Sequence, residues 1–227
     1  MKMYLSSYRL GTRADELEKW ANFIGNHKAF FIPNAVDAYP DRERKTESLR
    51  GSVAELEELG YEVETLDLKD YFGKETELAE KLKKAHTIFA CGGNTFVLRL
   101  AMGLSGFGDF LKSKIRDSGL LYGGFSAGIC LLGQTLRGLE LVDDSTVKPY
   151  GDHQVVWDGI GLLGYTPVPH FMSDHFESEA VNDVVDYMRE NDIAFKTLRD
   201  GDVILLDTKD GKVEEVLAYD IRSALCV

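Results

Sequence analysis

The chain has 227 residues, 44% hydrophobic and 28% charged, with 26 Lys and Arg against 38 Asp and Glu for a formal net charge of −12. That balance, with no local basic patch, argues against a nucleic-acid partner or an anionic membrane surface. Three cysteines, Cys91, Cys130 and Cys226, are sparse and odd in number, which points to a reducing, cytoplasmic setting and away from a disulfide framework.

Met3–Ser7 reads as a strand, within an apolar stretch too brief for a signal-peptide core. Asp15–Ile24 has the spacing of an amphipathic helix, and Ala29–Pro33 is a second strand. Leu49, Val53, Leu56 and Leu59 recur at helical intervals, so a helix is predicted over Leu49–Leu59, stopped by Gly60. Tyr61–Leu68 alternates as a strand and Glu75–Lys84 is helical. His86–Ala90 is a buried-type strand running into Cys91-Gly92-Gly93-Asn94. Phe110–Arg116 is helical and Leu120–Phe125 is a strand. This βαβα order with short connections predicts an α/β fold, a three-layer arrangement with a mostly parallel sheet and helices on both faces.

The second half is less regular. Leu139–Val142 and Gly164–Val168 read as strands around a loop rich in Asp, Gly and Pro. Glu177–Glu190 is a helix by the spacing of its apolar residues. Phe195–Leu198, Asp202–Leu206 and Val213–Ala218 read as strands, with Asp210-Gly211 a hairpin turn. No linker, repeat or low-complexity segment interrupts the chain, so one domain over residues 1–227 is expected. No run approaches the roughly 18 apolar residues of a spanning helix.

The stretch that carries chemistry is Leu120-Leu121-Tyr122-Gly123-Gly124-Phe125-Ser126-Ala127-Gly128-Ile129. Gly124-x-Ser126-x-Gly128 falls between an apolar strand and a helix start, the context of a nucleophile elbow. Small neighbours let the backbone bend sharply and project the hydroxyl at the sheet edge. A serine needs a base and an acid that orients it. Of five histidines, His27 and His86 border strands and read as structural or solvated, and His153 lies in an irregular loop. His170, after Pro167-Val168-Pro169, stands at a proline-stiffened strand end that can hold an imidazole rigidly over the sheet edge.

Three segments in order, Cys91-Gly92-Gly93-Asn94-Thr95-Phe96, Gly124-Phe125-Ser126-Ala127-Gly128 and Pro169-His170-Phe171, resemble those of the peptidase E and cyanophycinase group of serine peptidases, family S51. A fourth, Leu198-Arg199-Asp200-Gly201-Asp202, lies where that family places an acid ahead of a glycine. The resemblance runs over nearly the whole chain. It implies a class I glutamine amidotransferase-like (flavodoxin-like) fold and hydrolysis of a dipeptide or short peptide without a cofactor. It also implies Ser126 as nucleophile, His170 as general base and acid, and Asp200 as the orienting acid. Backbone N–H groups of Ala127 and of Gly92 or Gly93 would form the oxyanion hole, and Asn94, Thr95, Phe125 and Phe171 would lie near substrate. An α/β-hydrolase order would instead draw the acid from Asp143, Asp144, Asp152 or Asp158, which read as a solvated loop.

Aspartyl dipeptidases of this family resemble one another in an arginine early in the helix after the histidine loop. Here Glu177-Ser178-Glu179-Ala180-Val181-Asn182-Asp183 holds three acids and no arginine, so strict Asp-X specificity is not expected unless Arg99 or Arg137 reaches in. His170, Asp174 and His175 lack the pattern of a zinc motif, and no metal is expected. No phosphate-binding glycine motif is present. A non-catalytic ligand-binding module of the same fold, or an esterase of related architecture, are the other readings at this level.

Overall fold

A computed structural model describes residues 1–209 and 212–217. Its strands are β1 (Lys2–Ser6), β2 (Lys28–Ile32), β3 (Glu62–Thr65), β4 (Thr87–Ala90), β5 (Leu121–Phe125), β6 (Thr166–Val168), β7 (Phe195–Thr197), β8 (Val203–Lys209) and β9 (Lys212–Leu217). The main sheet has the order β3-β2-β4-β5-β1-β8-β9. From β3 to β1 all neighbours are parallel, and β8 and β9 extend the sheet antiparallel beyond β1. Counted from β2, the parallel part follows the flavodoxin-like order 2-1-3-4-5, with the N-terminal strand in the last place. Every residue of β4 and β5 is buried, which requires cover on both faces of the sheet.

The helices are α1 (Asp15–Ile24), α2 (Arg42–Glu58), α3 (Glu75–Lys81), α4 (Thr95–Leu104), α5 (Phe107–Ser113), α6 (Ala127–Cys130) and α7 (Ser178–Glu190). α2 begins well before the apolar spacing does, because its first turns are polar and start where the Asp41 carboxylate accepts from Glu43 N–H at 2.8 Å. The sequence reading has no helix at α4. That helix is strongly apolar, burying Phe96, Val97, Leu98, Ala101 and Met102, and Arg99 is its one charged residue, so its polar side is too narrow to stand out. Its start is set by the Asn94 side chain, which accepts from Val97 N–H at 3.0 Å.

Three expectations are corrected. Leu139–Val142 is not a strand but a 3-10 turn over Leu139–Leu141, entered through Gly138 at φ 94°. The strand expected over Tyr61–Leu68 covers only Glu62–Thr65; the chain then turns at Asp67, whose side chain accepts from Lys69 N–H, into a 3-10 turn at Leu68–Tyr71. The helix expected over Phe110–Arg116 starts earlier, at Phe107, behind Gly106 at φ 76°. Asp210, Gly211, Ala218 and Cys226 lie outside the described residues. Among the described residues, no helix is long and apolar enough to cross a membrane.

Candidate active site

Ser126 directly follows β5. Its carbonyl accepts from Ile129 and Cys130 N–H at 2.9 and 3.1 Å, so the residue is also the entry to α6. It sits at φ 49° and ψ −119°, a conformation that costs a side-chain-bearing residue about 1–3 kcal/mol. The flanking glycines let the turn close. A Cβ on Gly128 would lie 2.5 Å from Ala90 O at the end of β4, so α6 can approach the sheet only without one. Across the cleft, a Cβ on Gly92 would meet the Phe125 ring at 2.7 Å and Ser126 Cβ at 3.0 Å.

His170 and Asp200 are brought together by register. β6 and β7 are parallel, with Val168 opposite Thr197, so the loops that follow both leave the same end. His170 Nδ1 lies 2.7 Å from Asp200 Oδ1. Ser7, the residue after β1, ties the pair: its hydroxyl accepts from His170 N–H at 2.9 Å and donates to Asp200 Oδ1 at 3.1 Å. Asp200 N–H donates to Ser173 Oγ at 2.7 Å. His170 is 2% exposed and, like Ser126, holds a positive φ, of 62°. The His175 ring stacks on it at 3.7 Å and 9°, and Tyr8 sets an edge against both rings. Burial, and next the neighbouring His175, push the His170 pKa below its ordinary value, against the pull of Asp200. A neutral ring whose Nδ1 proton faces a carboxylate keeps an open lone pair on Nε2.

Ser126 and His170 line the same cleft of about 220 Å³, with Gly92, Gly93, Phe125 and Glu177 among its other walls. A hollow of only about 20 Å³ continues behind them toward Thr95, Cys130 and Asp143. A larger, mostly apolar hollow of about 300 Å³ lies along Trp20, Phe23, Leu121 and Leu205. Its described lining has neither a histidine nor a serine, so the chemistry concentrates in the smaller cleft.

Two carboxyls give this cleft its electrostatics. Burial, reinforced by Asp143 and Asp200, pushes Glu177 up to about 7. Burial likewise pushes Asp143 up to about 6, against the Thr95 side chain and the Thr95 N–H, which donates to Oδ2 at 2.8 Å. Asp143 is therefore not the solvated loop residue expected. Asp144 holds Thr146, Asp152 pairs with Lys148, and the Asp158 carbonyl takes Arg99 Nε at 2.9 Å. Arg99 is thus engaged there, and Arg137 stacks over Trp157. Among the described residues, neither cleft wall carries a Lys or Arg.

The remaining expected residues divide. No described hydrogen bond takes up the N–H of Gly92, Gly93 or Ala127. Phe125 and Thr95 line the cleft and the hollow respectively. Asn94 caps α4 and donates to Asp144 O at 2.9 Å, so its side chain is spent on structure. Phe171 packs against the core, its N–H donating to Leu198 O. His86 Nδ1 meets Gly119 O at 2.9 Å, and His27 and His153 are exposed. Sequence reasoning passed over Ser7, Tyr8 and the inward turn of Asp143 and Glu177. For Ser7 there was a signal, a polar pair at the end of a buried parallel strand, where such sheets place their sites.

Residues 6–214 match the family model of Peptidase family S51. An uncharacterized peptidase of Listeria monocytogenes is 29% identical over 164 residues, covering 72% of this chain and 75% of that protein. Peptidase E of Streptomyces coelicolor is 27% identical over 176 residues, covering 75% of this chain and 64% of that protein. Among solved structures, one from Listeria monocytogenes EGD-e that carries the name peptidase E superposes with a TM-score of 0.70 at 22% identity. It covers 96% of this chain and 98% of that one. The fold is of the class I glutamine amidotransferase type.

Proposed function

The chain belongs to peptidase family S51, and from that premise we propose that it is a serine peptidase cutting a dipeptide or short peptide through an acyl-enzyme on Ser126. The observation that carries this reading is the 2.7 Å contact of His170 Nδ1 with Asp200 Oδ1, made at a cleft that His170 shares with Ser126. Ser126 Oγ attacks the scissile carbonyl as His170 Nε2 takes its proton, and the carbonyl π electrons move to oxygen. The N–H groups of Ala127 and of Gly92 or Gly93 hold that oxyanion. On collapse the C–N bond breaks and His170 returns the proton to the leaving amine. Water repeats the sequence on the ester, freeing Ser126 and the acid. Asp200 holds the ring through Nδ1 and stabilises the imidazolium that forms.

The described walls, acidic and without Lys or Arg, favour a neutral or cationic residue before the scissile bond over aspartate. The test is a dipeptide and short-peptide library run with wild type and Ser126→Ala, together with labelling by a serine-directed phosphonate. Cleavage and labelling by wild type alone are expected, with Asp-X dipeptides among the slower substrates. Equal cleavage by Ser126→Ala would overturn the nucleophile, and Asp-X as the fastest class would overturn the specificity.

A further inference from the structure

The loop after β6 and the start of α7 bring two imidazoles and a carboxylate to one point of the cleft. Glu177 Oε2 lies 4.0 Å from His170 Nε2 and 3.9 Å from His175 Nδ1. One ligand atom from each of the three residues can be chosen so that all lie within 4.8 Å of one another. We propose that His170, His175 and Glu177 bind a divalent transition-metal ion of the zinc type, and that the ion reversibly silences the peptidase.

Nitrogen and oxygen ligands about 2.0–2.2 Å from zinc in a tetrahedral shell stand about 3.3 Å apart, so the two contacts to Glu177 Oε2 must shorten by about 0.6–0.7 Å and the two imidazole nitrogens must approach by up to about 1.5 Å. His170 already has the setting of a ligating histidine, with a carboxylate on the ring nitrogen that faces away from the ion. His175 has to move. Its ring lies nearly parallel to that of His170, and in-plane lone pairs of parallel rings do not converge. The residue is partly exposed at the cleft wall, and turning its ring toward the shared oxygen gives up the contact in which Nδ1 accepts from Glu177 N–H at 3.3 Å. The fourth position would face the cleft and take water. Two imidazoles and one carboxylate suit zinc or its late first-row neighbours better than magnesium or calcium. Charge favours the ion too: Glu177 feels both Asp143 and Asp200, and no Lys or Arg stands among the described walls.

Occupancy would tie up the Nε2 lone pair that must take the Ser126 proton. The silencing therefore rests on the reading of His170 as general base, whereas the binding does not. Zinc titration by calorimetry, and cobalt(II) titration followed by its visible ligand-field bands, should be run on wild type, Ser126→Ala, His175→Phe and Glu177→Gln. His175→Phe keeps a stacking ring without a ligand nitrogen. We expect one ion per chain with intense, four-coordinate cobalt bands in wild type and Ser126→Ala, and affinity weakened about tenfold or more in the other two variants. No binding to wild type, or binding unchanged in both His175→Phe and Glu177→Gln, overturns the site. Zinc that binds while turnover of an active wild type stays constant overturns the silencing. Zinc bound by a wild type that cleaves no peptide leaves the site standing and removes the peptidase reading instead.

Discussion

His170 Nδ1 and Asp200 Oδ1 meet at 2.7 Å across 30 positions of sequence, and the hydroxyl of Ser7 fastens both from a third segment. Three strand ends, β1, β6 and β7, therefore converge on one imidazole. In the proposed reaction the carboxylate holds the tautomer that leaves Nε2 basic. Asp200→Asn should lower kcat by roughly 10³–10⁴-fold with KM little changed, as loss of an orienting acid does in serine peptidases. Steady-state kinetics on the best library substrate check this, and unchanged kcat would assign the role to another acid.

Ser7→Ala separates fastening from chemistry. It leaves the buried His170 N–H without its acceptor, a loss of about 1–3 kcal/mol. Urea denaturation should show that drop. Activity should fall less than in Asp200→Asn, because the ring–carboxylate contact is kept.

Ser126 is held at φ 49°, a region that glycine enters without penalty. Ser126→Gly should therefore raise stability by about 1 kcal/mol while abolishing turnover. Thermal or urea melting of this variant beside Ser126→Ala, which keeps the strained conformation, isolates the backbone contribution. Equal stabilities for the two would place no strain at the elbow.

Burial and His175 lower the His170 pKa, so the base is free of its proton at a lower pH than an exposed histidine. The acid limb of kcat/KM should have its midpoint below 6.5. Asp200→Asn removes the group that opposes the shift, and its residual activity should carry that midpoint lower still. A pH–rate profile of both proteins decides it, and a midpoint above 6.5 in wild type would contradict the assignment of His170.

Glu177 titrates at about 7 in the folded chain, against about 4.3 for an unperturbed glutamate. Between those values the folded state holds a proton that the unfolded state has lost, so stability falls as pH rises. Above about 7 the whole penalty is present, and below about 4 it vanishes. Glu177→Gln should be more stable than wild type by about 1 kcal/mol or more at pH 8, with the difference fading toward pH 4.5. Urea midpoints at the two pH values measure it; a pH-independent difference would mean the gain comes from packing alone.

Much of the parallel sheet could be read along the chain, because each of its strands announces itself by a short apolar run and each amphipathic helix by its period. α4 could not be, since a strongly apolar helix with one charged residue, Arg99, offers too narrow a polar face to stand out. The polar first turns of α2 escaped for the opposite reason. At the candidate site, the segments that hold Ser126, His170 and Asp200 stand out in the sequence. The capping role of Asn94 was not legible, because a conspicuous polar residue beside two glycines serves a site or a helix cap equally well.

Sequence by itself determined the family, the sheet architecture and the strand–turn–helix passage at Ser126, since these depend on local patterns: apolar runs, and small residues that punctuate strand and helix. Only the tertiary structure decided which acid reaches His170 and which charges face the cleft. Asp143, Asp200 and Glu177 are alike in local sequence, each an acid in or beside a loop. Their differences arise from the β6–β7 register, from the Ser7 hydroxyl delivered by β1, and from burial. None of these is encoded within a few residues of the acid concerned.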